Sequence, residues 1–130
     1  MSTSRRIVTP MRRVRGLGAA GAGTREFWHQ RVTSVAGIFL TIALIIIVMA
    51  LMGRSHAAVA QILASPLVAI VMLLFILNTA YHMWIGMQEI IIDYVHEDGP
   101  KFAALLANSF FCVLVAVACI FGLLRISFGL

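Results

Sequence analysis

The stretch VTSVAGIFLTIALIIIVMALM, residues Val32 to Met52, decides the fold class of this chain. Its 21 residues carry no charge, and the nearest charged side chains on either side are Arg31 and Arg54. An α-helix rises about 1.5 Å per residue, so about 20 apolar residues cross the hydrocarbon core of a bilayer. The stretch therefore predicts a transmembrane helix.

Composition extends this prediction to the rest of the chain. Of its 130 residues, 62% are hydrophobic and 12% are charged, and a soluble domain of this size cannot bury so much apolar surface. The net charge of +5 comes mainly from residues before position 32, whereas a nucleic-acid-binding protein carries basic residues over a folded surface. We therefore expect an integral membrane protein that contacts lipids and has no nucleic-acid partner.

Two further apolar runs predict two further spans. One begins at Ser65 and Pro66, which fit the N-cap and the first turn of a helix. The other follows Gly99 and Pro100, which stop one helix before the next begins. We expect an all-α membrane domain over residues 25–130, with spans at about 30–53, 66–94 and 102–125.

The first 24 residues differ from the rest, because they are rich in Arg, Gly and Ala and contain no acidic residue. They lack the apolar core of a secretory signal peptide. An Arg-rich start also fits a mitochondrial presequence, but the shortness of the remaining chain favours a flexible cytoplasmic arm over residues 1–24. We therefore expect a multi-pass protein of the bacterial inner membrane rather than of the mitochondrial inner membrane.

The distribution of Lys and Arg predicts the orientation of the spans. Two crossings separate the N-terminal arm from the loop before the third span, so both lie on the same side of the membrane. Eight basic residues belong to that side: Arg5, Arg6, Arg12, Arg13, Arg15, Arg25, Arg31 and Lys101. The other side has two, Arg54 and Arg125. We expect the N-terminus inside and the C-terminus outside.

The second span carries polar residues on one narrow face. At about 100 degrees per residue, five positions fall within about 80 degrees of one another on the helical wheel. They are Asn78, His82, Gly86, Glu89 and Asp93. Such a stripe cannot face acyl chains, so we expect it to face other helices, a cofactor or water.

His82 is the most informative member of this stripe. It lies about 16 Å along the helix from Asp93, which places it well inside the membrane. One interpretation is a hydrogen bond to a neighbouring helix, because buried imidazole nitrogens need partners. The other is an axial ligand of a haem iron, with the missing side chain of Gly86 leaving room for the macrocycle.

A six-coordinate haem needs a second axial ligand. The other three histidines are expected at other depths than His82: His29 and His96 at the inner interface, and His56 in the outer loop. Met49 and Met72 remain alternatives within this chain. We favour a histidine from another subunit, which would make the stripe a subunit interface.

Asp93 and Tyr94 come where the second span leaves the membrane. They fit an ordinary interfacial pair, with a tyrosine at the head-group level beside a solvated carboxylate. They also fit a quinone site, where the phenol donates a hydrogen bond and the carboxylate orients groups or relays protons. Glu89, one turn further in, is expected to be buried and either protonated or paired with a cation. A proton route and a structural pair both remain open for it.

The first span offers a second face of interest. Ser34, Gly37 and Thr41 share one side of it, and small residues allow close packing of helices. Arg31 ends this span on the inner side, where it sets topology and extends its charge to the interface. Pairing with a haem propionate is an alternative role for Arg31.

Two segments resemble a known family. HMWIGMQEIIIDYV, from His82 to Val95, resembles the H-x-x-x-G-x-x-x-x-x-x-D-Y signature of succinate dehydrogenase hydrophobic anchor subunits, the smaller membrane anchors of respiratory complex II. FWHQRVTSVA, from Phe27, is similar to the same family's entry into its first span. With the three-span plan, the resemblance covers the chain from about Thr24 onward.

The resemblance implies a place in a four-subunit enzyme. This anchor would pack against a second, larger three-helix anchor of the cytochrome b type and share a haem b with it. It implies His82 as the axial ligand, Tyr94 as a contact of ubiquinone, Asp93 as support for that site, and Arg31 near a propionate or the quinone pocket. FAD and iron–sulfur clusters belong to the flavoprotein and iron–sulfur subunits. This chain has neither cluster cysteines nor a dinucleotide fingerprint, so it is not expected to oxidise succinate alone.

Two other functions remain open at this stage. The anchor of a fumarate reductase would serve the opposite reaction, and the sequence does not separate the two. A subunit of a proton-coupled transporter would use Glu89 and Asp93 as its relay and needs polar residues along a water path in more than one helix. The first and third spans offer few of these: Ser34, Thr41, Asn108 and Ser109.

Overall fold

The computed structural model describes the backbone of residues 20–129 and the side chains of residues 24–129. The described part consists of four α-helices: α1 (Ala20–Leu51), α2 (His56–Ala64), α3 (Pro66–Tyr94) and α4 (Asp98–Phe128). Helix α1 from Thr24 onward, α3 and α4 are each long and apolar enough to cross a membrane. The predicted all-α fold with three spans is confirmed, while nearly all of the predicted arm lies outside the described residues.

The short helix α2 was not predicted from the sequence. Ser55 caps its start, where the hydroxyl accepts a hydrogen bond from the Ala58 backbone N–H at 3.4 Å. The helix ends at Ser65, whose hydroxyl donates to the Ile62 carbonyl at 2.8 Å. Nine residues are too few to show a helical period clearly, because a pattern of that length also fits a loop or a strand.

The start of α3 follows the prediction. Ser65 is its N-cap residue, and Pro66 occupies the first helical turn, where a missing N–H costs nothing. The Ser65 side chain makes no hydrogen bond to α3, because its hydroxyl bonds back to α2. One serine therefore ends one helix and begins the next.

The start of α4 differs from the prediction. The helix begins at Asp98 rather than at Phe102, and Gly99 and Pro100 lie inside its first turn instead of separating two helices. Proline is well accommodated there, because the first N–H groups of a helix have no partner within it. The break lies just before, where Val95 and Glu97 adopt extended backbone conformations.

Helix α3 lies in the middle of the molecule and packs against α1 and α4. Its contact with α4 contains two hydrogen bonds. The Trp84 indole N–H donates to the Ser109 hydroxyl at 3.1 Å, and the Asn108 side-chain amide donates to the Trp84 carbonyl at 3.0 Å. Helix α2 lies against the far end of α4, where the Ser127 hydroxyl donates to the Leu63 carbonyl at 3.1 Å.

The three spans leave most of their apolar surface uncovered. Within the described residues the buried apolar side chains are few, namely Ile85, Ile91, Cys112 and Leu123. Large side chains such as Phe39 and Phe121 are mostly exposed. In lipid such faces need no protein cover, since acyl chains are as apolar as leucine. This arrangement agrees with a membrane protein and leaves broad faces for further helices.

Candidate functional site

Helices α1 and α3 are joined at Thr33, which is 9% exposed. Its hydroxyl oxygen lies 2.8 Å from Nδ1 of His82 on α3. Its backbone carbonyl accepts a hydrogen bond from the Asn78 side-chain amide at 3.1 Å. The same hydroxyl also lies 2.8 Å from the His29 carbonyl and 3.1 Å from the Gln30 carbonyl of its own helix. Thr33 is therefore held on both sides by polar contacts.

An open groove runs along this contact between α1 and α3. It has a volume of about 560 Å³ and is lined mainly by small or polar residues, with three larger apolar ones. Its lining residues are Thr33, Ser34, Gly37, Ile38, Thr41, Ile42, Phe75, Asn78, Thr79 and His82. The groove therefore places a histidine beside a space bordered by little side-chain bulk.

Most of the small residues on this face of the first span line the groove, and only Gly37 packs closely against another helix of the chain. Gly37 does pack closely, since a Cβ added there would lie 3.4 Å from the Asn78 side-chain nitrogen. Ser34 and Thr41 are exposed and line the groove. The predicted close packing along this face therefore holds at Gly37 and not along its whole length.

The His82 ring has one occupied and one available nitrogen. Nδ1 is taken by Thr33, and Nε2 makes no hydrogen bond with any residue that the structure describes. Among the described side chains, a buried oxygen or nitrogen without a partner occurs at Gln30 Oε1 and not at His82. Nε2 is therefore neither bonded nor fully enclosed, and His82 belongs to the lining of the groove.

These features fit a haem whose iron has one ligand in this chain. Imidazole is a common axial ligand of haem iron, and a ligating ring nitrogen needs its opposite nitrogen held by a hydrogen bond. Over the described residues 24–129, no three side chains of His, Cys, Asp or Glu cluster to form a metal site of their own. The groove is open on its outer side, which leaves space for a second ligand.

His29 contacts α3, since its ring lies 2.6 Å from the Tyr81 hydroxyl. Antiparallel packing of α1 on α3 places Thr33 beside His82 and Gln30 beside Gly86, so residue 29 lies about one turn nearer the inner end of α3 than His82. The predicted difference in depth between the two histidines agrees with this register. His29 faces a separate pocket of about 280 Å³ with Tyr81, Trp84 and Gln88, so it does not reach the groove that holds His82.

The same register places Arg31 near the level of His82. Residues 29 and 33 of α1 contact residues 81 and 82 of α3, and Arg31 lies midway between them. On the helical wheel it lies about 60 degrees from Ser34, which lines the groove. Its guanidinium is exposed and lies 4.6 Å from the centre of the Phe27 ring. The backbone of Arg31 is therefore near the level of His82, while its guanidinium reaches toward Phe27, one turn nearer the start of α1.

Gly86 faces α1 rather than an empty space. A Cβ added at Gly86 would lie 3.4 Å from the Gln30 side-chain nitrogen, so that amide occupies the room left by the missing side chain. The role of Gly86 beside a macrocycle stays a prediction. At this position α1 and α3 approach each other closely.

The polar stripe of the second span divides into two parts. Asn78, His82 and Gly86 face α1, as expected for an interior face. Glu89 and Asp93 are exposed. No described helix of this chain covers Glu89, and no ion pair to it occurs among the residues that the structure describes, so its burial within the membrane stays a prediction. A helical wheel gives the angle of a side chain, but not the length over which a neighbouring helix covers it.

Asp93 and Tyr94 are the last two residues of α3. Tyr94 is 79% exposed, and its backbone carbonyl accepts a hydrogen bond from the His96 ring at 3.2 Å. Neither side chain is engaged by a described residue, so the phenol and the carboxylate are free to meet a ligand. Twelve residues separate Tyr94 from His82, which is about 18 Å along the helix axis.

Thr33 and the His29–Tyr81 pair were missed by sequence reasoning. Threonine in an apolar span is common, and neither helix alone shows that Thr33 meets His82. The available signal was spacing, since Thr33 lies four residues after His29 and four before Gly37, on the face that packs on α3. That face could be recognised only when its partner helix was known.

Comparison with known proteins agrees with this architecture. The family of succinate dehydrogenase/fumarate reductase transmembrane subunits matches residues 5–116. The succinate dehydrogenase hydrophobic membrane anchor subunit of Paracoccus denitrificans is 30% identical over 124 residues, which is 95% of each chain. The corresponding subunit of Rickettsia bellii is 24% identical over 106 residues, which is 82% of this chain and 85% of the relative. No solved structure gives a significant match. The chain therefore belongs to the succinate dehydrogenase/fumarate reductase transmembrane subunit family.

Proposed function

We propose that this chain is a membrane anchor of a succinate:quinone oxidoreductase that binds haem b and forms part of the quinone site. Family membership and the three spanning helices support the anchor role. The electrons would come from a flavoprotein subunit through an iron–sulfur subunit, and a larger anchor of the cytochrome b type would cover the open groove. The bacterial relative in Paracoccus supports a place in a bacterial inner membrane.

The observation that carries the haem proposal is the state of His82. Its Nδ1 is fixed by Thr33 at 2.8 Å, and its ring lines a groove of about 560 Å³. His82 would hold the iron from one side, and Arg31, level with it, would pair with a propionate or border the quinone pocket. A bound haem would supply a one-electron carrier inside the membrane.

Tyr94 and Asp93 support a quinone site at the inner end of α3. Quinones dissolve in lipid, but their reduced form takes protons from water, so a reduction site belongs at the interface. The free Tyr94 phenol would donate a hydrogen bond to a quinone carbonyl, and the Asp93 carboxylate would orient groups or relay protons. Both side chains are exposed at this position.

A spectrum of the purified complex tests the ligand assignment. The change is His82→Ala, with His56→Ala as the matched control, because His56 is exposed at the start of α2 and distant from the groove. We expect the reduced-minus-oxidised signal of a b-type haem to be lost or altered in the first variant and normal in the second. A normal haem spectrum in His82→Ala would remove His82 as the ligand.

A fumarate reductase anchor remains the second candidate, because the matching family includes transmembrane subunits of both enzymes. Comparing succinate oxidation with fumarate reduction by the same purified complex, with quinones of high and low potential, separates them. The transporter hypothesis finds less support. Asn108 and Ser109, the polar residues expected to line a water path in the third span, are engaged with Trp84.

A further inference from the structure

We propose that Thr33 is a positioning residue that fixes the tautomer and the orientation of His82, so that the lone pair of Nε2 faces the groove. The inference rests on the proposed haem site and adds the group that prepares it. The Thr33 hydroxyl oxygen has a single proton and three close polar neighbours.

The neighbours of this oxygen decide where its proton goes. Two are backbone carbonyls, of His29 at 2.8 Å and Gln30 at 3.1 Å, and a carbonyl can only accept. If the hydroxyl donated to His82 instead, its lone pairs would face two carbonyl oxygens at hydrogen-bond distance. The proton therefore goes to the carbonyls, and Thr33 accepts from His82.

The tautomer of His82 follows from this direction. The third neighbour, Nδ1 of His82 at 2.8 Å, must carry a proton in order to donate to Thr33. In a neutral imidazole with Nδ1 protonated, Nε2 holds the lone pair. Because Nε2 is the ring nitrogen left unbonded beside the groove, the tautomer that Thr33 selects is the one that can bind iron there.

Thr33 is itself held rigidly enough to orient a ring. Its branched side chain has few rotamers in a helix, and the bond to the preceding carbonyls selects one of them. Its backbone carbonyl is bound by Asn78, one turn before His82 on α3. Both hydrogen bonds thus run from donors on α3 to acceptors of Thr33 on α1, one helical turn apart, which fixes the height and the tilt of the imidazole.

The effect on a ligated iron has a direction. A hydrogen bond from Nδ1–H makes Nε2 a stronger electron donor, and loss of such an outer partner typically weakens metal binding by about 10- to 100-fold. Stronger donation stabilises ferric over ferrous iron. Removal of the Thr33 hydroxyl is therefore expected to weaken haem binding and to raise the reduction potential of the haem.

Four variants of the complete complex test this proposal. Thr33→Val removes the hydroxyl and keeps the shape, Thr33→Ala removes it without adding bulk, and Thr33→Ser keeps it. Ser109→Ala is the matched control, because it removes a hydroxyl that also joins two spans by a hydrogen bond, to Trp84, but that lies outside the groove. Haem affinity is measured by titration of the haem-depleted complex, and the potential by a redox titration followed at the haem absorption band.

We expect haem affinity about 10- to 100-fold lower and a higher potential in Thr33→Val and Thr33→Ala, with both quantities near normal in Thr33→Ser and Ser109→Ala. Equal affinity and potential in Thr33→Val and Ser109→Ala would overturn the proposal. Assembly of Thr33→Ser but of neither hydroxyl-free variant would assign Thr33 a structural role and overturn it as well. A normal haem signal in His82→Ala, by contrast, would refute the proposed haem site itself.

Discussion

The proposed chemistry of this protein rests on single side chains at two places on α3. His82 lies at mid-helix beside a groove, with one ring nitrogen bonded to Thr33, whereas Tyr94 lies at the helix end with an exposed phenol. The first environment suits a fixed ligand, and the second suits a molecule that arrives from lipid and exchanges protons with water. The two proposed sites lie about 18 Å apart along one helix.

At this scale we predict that Tyr94→Phe uncouples quinone reduction from succinate oxidation. Loss of one hydrogen bond to the quinone, worth about 1.4 kcal/mol, corresponds to about a tenfold lower rate of quinone reduction. Succinate oxidation measured with an artificial dye should be unchanged, because it does not pass through this site.

Tyr81→Phe is the matched control for this prediction. Tyr81 is the other tyrosine of the chain and of α3, and its hydroxyl is engaged by His29 at 2.6 Å. The ratio of quinone reduction to dye reduction should stay normal in this variant. An equal loss of both rates in Tyr94→Phe would argue against a quinone contact.

The arrangement of the helices depends on close approaches between their backbones and on a few polar contacts. Helix α3 contacts α1 at Gly37 and Thr33 of α1 and at its own Gly86. It contacts α4 through its own Trp84 and through Asn108 of α4. In lipid, apolar side chains gain little by leaving acyl chains for a helix, so van der Waals packing and hydrogen bonds decide which faces meet. Small residues where backbones approach closely are therefore as important as the apolar runs.

At the scale of elements we predict that Gly37→Leu weakens the contact of α1 with α3. A Cβ at this position already lies 3.4 Å from the Asn78 side chain, so a larger group must displace the amide that bonds to Thr33. Overpacking of this kind costs about 1 to 3 kcal/mol. Thermal unfolding of the complex in detergent measures the loss.

Gly122→Leu serves as the control for helix packing. Gly122 lies in α4, and a Cβ added there has no neighbour within 4 Å. The propensity change from glycine to leucine is the same in both helices, so a difference between the variants reports packing. Equal stability of Gly37→Leu and Gly122→Leu would show that the approach at Gly37 contributes nothing.

The whole molecule is an open layer of three spans rather than a closed bundle. Large exposed side chains on the spans, such as Phe39, Leu67 and Phe121, and the open groove at His82 show that this chain has faces to offer to lipid and to other helices. An anchor that shares its cofactor with a partner needs an arrangement of this kind. The unequal distribution of Lys and Arg sets the expected direction of insertion.

At this scale we predict that the N-terminus lies in the cytoplasm and the C-terminus outside. Alkaline phosphatase, which is active only outside the cytoplasm, should therefore be active when fused after Leu130 and inactive when inserted between α3 and α4. The insertion point is the loop between these two helices, where His96 and Glu97 are exposed. The reverse pattern of activity would refute the orientation.

The sequence by itself determined that this chain crosses a membrane three times, because long charge-free runs are stable as helices in lipid without any particular neighbour. It also singled out His82, Asp93 and Tyr94 as candidate site residues, since polar residues are conspicuous in such runs. The tertiary structure decided the register of the helices, and with it the contact of His29 with Tyr81 and the contact of Thr33 with His82. Register depends on contacts between residues about 50 positions apart, and hydropathy along one helix contains no information about where those contacts fall.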